Sequence, residues 1–235
     1  MLPTWVRSYL GAKAGQKRWL LKDLTPPGTP TPPANPRERE LRGFYVVARK
    51  IVCQQCNNGW MSQLQASAKS LLSSMFNGEV VSLGPTDQHT LRRWSTMTAI
   101  CNQYSSGEDV DAARREHLCR HSSPARNTEV FLAHMPEPTM DTMHSASRWR
   151  NKRNHSEVHA YFDLIAVRQL AVIVVQGVIP PWLRAPLQDA EKSLAHLVDP
   201  VHLEGIKWPP RPLGTSAVRG LFERITSDEA NPTRE

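Results

Sequence analysis

Two cysteines three positions apart, Cys53-Gln54-Gln55-Cys56, run directly into Asn57-Asn58-Gly59-Trp60-Met61. A C-x-x-C offers two thiols from one turn of chain, a spacing with which thiolates grip zinc, but a closed structural zinc site takes four ligands. The pair is therefore half of such a site, and its surroundings decide what it means. Upstream, the β-branched and aromatic run Phe44-Tyr45-Val46-Val47-Ala48-Arg49-Lys50-Ile51-Val52 predicts a strand leading into Cys53. Downstream, Leu64, Ala68, Leu71, Leu72 and Met75 recur at helical spacing, with Ser62 as the expected N-cap and Gly78 as the expected terminator. Strand, thiol pair and helix follow one another as in a zinc finger.

With Cys-Asn-Asn-Gly-Trp at its centre, this order resembles the second knuckle of HNH-endonuclease-like zinc-finger proteins, the ββα-metal family, of bacterial and phage type. The match is most specific over residues 51–76 and weaker over residues 1–10. The resemblance implies zinc held by Cys53 and Cys56, a catalytic position at Asn57 facing a magnesium or other divalent ion, and a scaffold of Asn58, Gly59 and Trp60. It implies DNA as the partner and phosphodiester hydrolysis as the family reaction, with a histidine deprotonating the attacking water and the metal stabilising the developing charge. In the family that histidine sits in an upstream E-H-x-x-P-x-W segment with its own C-x-x-C. Pro3 and Trp5 match the end of that segment, which puts the histidine immediately before Met1, as in a chain begun at an internal start codon or in a degenerate copy. Ala48 stands where many HNH proteins carry a central Asn. The resemblance thus implies an HNH homologue that does not cleave as given and holds zinc weakly or not at all. It leaves open a non-catalytic DNA-binding or protein-interaction module.

Charge points to the same class of partner. The formal net charge is +7; residues 1–50 carry 10 Lys/Arg against 3 Asp/Glu, and the remaining residues 19 against 19. A concentrated basic segment attracts phosphate through counterion release. Arg7, Lys13, Lys17 and Arg18 are the candidate contacts there, and Arg148-Trp149-Arg150-Asn151-Lys152-Arg153 adds Arg148, Arg150, Lys152 and Arg153 around an aromatic ring suited to stacking. The bland readings are a solvated basic arm and a solvated loop. His117, Cys119 and His121 form a second possible ligand cluster, but Arg114, Arg115 and Arg120 beside them would repel a cation, so a surface helix end is expected. Cys101 reads as a small core residue, and Trp5, Trp19 and Trp208 as packing anchors. Asp163 and Glu157 are isolated carboxylates, and no phosphate-binding loop, dinucleotide fingerprint or nucleophile elbow occurs, so no nucleotide cofactor is expected.

The elements that must carry these residues suggest an α+β fold: a partial HNH-like motif followed by a mixed helix and antiparallel-sheet body. Thr25 to Asn35-Pro36 holds six prolines in twelve positions and predicts an extended connector at 25–36 within a module spanning 1–76. The body, 77–226, should contain a helix opened by Pro85 with Thr86 as its cap and Leu91, Trp94, Thr98, Cys101 and Tyr104 as its buried stripe. Strands are expected at Thr128–His134, Ala160–Val167 and Gln169–Val178, helices at Leu187–Val198 and Ser216–Ile225, and an extended segment at Trp208-Pro209-Pro210. Residues 227–235 read as a disordered tail. Four cysteines with one close pair, no signal-peptide pattern and no long apolar run lead to the expectation of a cytoplasmic protein without a membrane span.

Overall fold

Two residue runs dense in Val, Ile and aromatics, 160–167 and 170–175, form a single strand, Glu157–Gly177. This is β3 of a computed structural model that describes residues 5–6, 52–105, 112–150, 157–177, 193–197, 205–213 and 215–226. Contacts divide the chain into two units, Leu2–Ala48 and Arg49–Glu235 with Met1. Only a short turn at Trp5 and Val6 is described in the first unit, and everything below concerns the second. The predicted strand before Cys53, the Pro-rich connector, the contacts Arg7, Lys13, Lys17, Arg18, Lys152 and Arg153, Trp19 and the tail lie outside the described residues, except for Val52.

In chain order, the thiol turn Gln54–Met61 leads into α1 (Ser62–Phe76), β1 (Val81–Leu83), α2 (Pro85–Ser105) and α3 (Ala112–His121). Then come β2 (Thr128–Arg150), β3, β4 (Leu194–Leu197), β5 (Ile206–Trp208) and α4 (Thr215–Thr226). β2 lies between β3 and β4 in an antiparallel sheet, and β1 pairs with β5 in a separate two-stranded ribbon.

The β2–β3 hairpin is continuous except between His134 and Thr139 of β2. Pro136 and Pro138 fall there, and a residue without an N–H cannot donate to a ladder, so the irregularity sits where pairing is impossible. On β3 the break is matched by Arg168 at φ 52. Passing it reverses which parity faces the same side. Ala160, Phe162, Leu164 and Ala166 share one buried cluster with Ala171, Ile173 and Val175, as well as with Phe131, Ala133 and Met135 of β2. Val218 and Leu221 of α4 close over this face. The parity switch explains why the sequence reads as two strands.

The opposite face is covered by helices. Leu91, Trp94, Thr98 and Cys101 of α2 are buried as expected, while the side chain of Tyr104 lies outside the description. On α1, Leu64, Ala68, Leu72 and Met75 are buried and Leu71 half-buried. Among the residues joining α2 to the sheet, the buried Gln103 donates its Nε2 to the carboxylate of Asp163 at 2.7 Å, and Arg92 donates to the carbonyl of Thr128 at 2.9 Å. Trp208 is fully buried with His134 at its edge, a packing anchor as predicted.

Three local expectations are corrected. Ser62 does not cap a helix start, because helical turns already run from Gln54 and the capping side chain is Cys53. Nor is Thr86 the cap of α2: Pro85 is the first helical residue, and Asp87 reaches back to accept from the N–H of Gly84 at 3.0 Å, as an N3 acid does in a capping box. The predicted helix 187–198 is a strand where it is described. Leu194–Leu197 pairs with Val130–Ala133, because the free edge of β2 offers unpaired backbone groups that outweigh local preference. Gly78 does end α1, at φ 72, with its N–H on the carbonyl of Met75 and that of Glu79 on the carbonyl of Ser74.

Candidate functional site

The chain enters the thiol turn through Cys53, whose backbone is extended, and turns at once into helical geometry at Gln54. This places Cys53 Sγ over the end of the turn, where it accepts from the backbone N–H of Cys56 at 3.3 Å. The N–H of Asn57 is bonded to the carbonyl of Cys53 at 3.0 Å, and a kink at Gly59 separates this turn from α1. The donated N–H favours a thiolate, so Cys53 is held below the ordinary thiol range. Cys56 is held above it, first by its side-chain interaction with Cys53 and then by burial. Cys53 is exposed and Cys56 half-buried.

Both thiols open onto a cavity of about 540 Å³ floored by Met61, Met97, Ile100 and Leu118. Cys119 of α3 lines the same cavity and is near enough for its charge to raise Cys56 further. Cys101 also borders it, buried in α2, where desolvation pushes its thiol up. Among the described residues, no group of three or more His, Cys, Asp or Glu side chains is placed to hold a metal ion. Cys53 and Cys56 supply two of the four ligands a closed structural zinc site takes, and no further donor joins them among the described residues. Asn57, the predicted catalytic position, is exposed, and its amide donates to the side chain of Asn58 at 3.3 Å.

The predicted cluster on α3 is divided by helix geometry. Successive residues advance about 100°, so His117 and His121 share a face while Cys119 points nearly the opposite way. The imidazole centroids of His117 and His121 lie 4.6 Å apart. They border a different cleft, of about 710 Å³, whereas Cys119 borders the thiol cavity. As expected, the two histidines occupy a helix end.

That cleft is the feature the sequence hid. It gathers His89 and Arg92 from α2, Arg126 from the turn before β2, and His196 from β4 around the α3 pair. Among the described residues, Glu129 is the one acid lining it; it lies 3.7 Å from His196, whose ring stacks on Phe131. Arg92 is anchored to Thr128, which fixes a guanidinium in the wall. The lining comes from three separate stretches of chain, 89–92, 117–129 and 196–197, so spacing could reveal only the i, i+4 histidine pair. Of the basic candidates read from sequence, Arg148 and Arg150 end β2, with side chains outside the description. Arg114 is turned instead toward the sheet, with its guanidinium 4.0 Å from the Tyr161 ring centroid and 3.1 Å from the side-chain oxygen of Gln176. Among the described residues, no helix is long and apolar enough to cross a membrane. Comparison with protein-family models, with curated proteins and with solved structures finds no match.

Proposed function

We propose that this chain is a nucleic-acid-binding homologue of HNH endonucleases that holds DNA without cutting it. The observation that carries the reading is the cleft, where Arg92, Arg126 and four histidines meet one carboxylate in a space of about 710 Å³. Guanidinium and imidazole donors converging in one concavity suit the oxygens of a phosphodiester backbone. The net charge of +7 adds attraction at longer range. The thiol turn and the helix after it support HNH-like ancestry, since the match lies in Cys53, Cys56 and Asn57 to Trp60. Cleavage is not part of the proposal. It needs a base and a metal held together at the reacting phosphate, and Asn57 stands with only Asn58 as a side-chain partner among the described residues.

Fluorescence anisotropy of a labelled duplex, titrated with protein between about 50 and 200 mM salt, tests this. Binding at low salt should weaken linearly on a log–log plot, and Arg126→Ala should reduce the slope by about 1. Supercoiled plasmid incubated with the protein and magnesium should stay intact; nicking that requires Asn57 would make the chain an endonuclease instead.

A further inference from the structure

The thiol cavity carries a different chemistry. Cys53 is exposed and Cys56 sits beside it, half-buried, one turn further on. Side chains three residues apart on a helical turn are about 5–6 Å apart at Cβ, and a disulfide needs about 3.5–4.5 Å, so a small adjustment closes the bond. The hydrogen bond from the Cys56 N–H already draws Cys53 Sγ toward that residue. No set of metal ligands occupies the two sulfurs among the described residues. The cavity before them is apolar at its floor, with Arg115 and Glu116 at its border, and has room for a small organic molecule.

We propose that Cys53 and Cys56 are a thiol–disulfide exchange site that takes low-molecular-weight disulfides. Cys53 attacks one sulfur of the disulfide RS–SR, forming Cys53–S–S–R and releasing the first RS⁻. Cys56, as thiolate, then attacks the Cys53 sulfur, closing the Cys53–Cys56 bond and releasing the second RS⁻. Two electrons pass from the protein dithiol to the small disulfide, and the two protons of the cysteines end on the two released thiols. The division of labour follows from placement: the exposed sulfur meets the substrate and the half-buried one resolves the mixed disulfide. Cys119 borders the cavity from α3, and among the described residues no hydrogen bond joins it to Cys53 or Cys56, so it is a bystander to the exchange. This inference does not depend on DNA binding, and its test leaves that reading untouched.

The full chain, reduced, stripped with chelator and desalted, is mixed with oxidised glutathione, and the products are followed by intact mass and peptide mapping. The expected product is the Cys53–Cys56 disulfide, with two equivalents of glutathione released and no lasting adduct. Cys56→Ser should stall as a glutathione adduct on Cys53. Cys53→Ser should slow consumption at least tenfold, and Cys119→Ser should leave it unchanged. If a serine variant fails to fold, the mapped products of the unaltered chain still decide. Adducts formed on Cys119 as fast as on Cys53, or no intramolecular bond, would overturn the proposal. So would zinc, added alone to the reduced protein, that is retained at one equivalent and shields both thiols.

Discussion

At the scale of single residues, the hydrogen bond from the Cys56 N–H to Cys53 Sγ separates cysteines that the sequence cannot rank. Cys53 is exposed and held below the ordinary thiol range by that donor, whereas burial pushes Cys101 above it. Its alkylation by iodoacetamide should therefore begin at lower pH, rising through a midpoint below that of a free thiol, and Cys101 should react last. Time-resolved peptide mapping across pH checks the order. A second residue-scale expectation concerns the buried carboxylate of Asp163. Gln103→Leu removes a donor at 2.7 Å and should cost about 1–3 kcal/mol in denaturant unfolding. The sequence revealed Cys53 and Cys56 because their spacing is local. It gave no sign that Gln103 and Asp163 meet, because sixty residues separate them.

Elements were legible where periodicity and punctuation agreed. α1, α2 and α4 follow their apolar stripes, and Gly78 ends α1 because the chain needs a left-handed residue there. Gly78→Ala should destabilise by about 1 kcal/mol or more, since φ is positive and the added Cβ would also displace the end of the Gln169 side chain. A thermal melt checks it. β4 was not legible: Leu194-Ala195-His196-Leu197 suits either helix or strand, and pairing with β2 decides the outcome. The same pairing brings His196 to the cleft. α4 contributes through Val218 and Leu221 against the sheet, so Leu221→Ala should cost about 2–5 kcal/mol by emptying a packed position. Arg148 and Arg150 read as loop cations from their composition, yet their backbone continues β2, because Trp149 and both arginines pair with Glu157–His159.

Across the whole unit, the cleft and the thiol cavity lie on separate sets of residues but share two helices: α2 gives His89 and Arg92 to the cleft and Met97, Ile100 and Cys101 to the cavity, and α3 lends one face to each. Amides of β2 from Val130 to Ala133, buried and flanked by β3 on one side and β4 on the other, should be the slowest to exchange with deuterium, while those of the thiol turn, mostly exposed, should exchange early. The fold class was readable from sequence because alternating apolar patterns survive without knowledge of contacts. The cleft was not, because three distant stretches of chain build it. The claim that this cleft seats a phosphate backbone is tested most directly by salt-dependent anisotropy on duplex DNA with the full chain and Arg126→Ala. Binding at about 50 mM salt should fall linearly on a log–log plot as salt rises, with a slope shallower by about 1 in the variant. Absence of binding at low salt, or a slope that Arg126→Ala leaves unchanged, would contradict it.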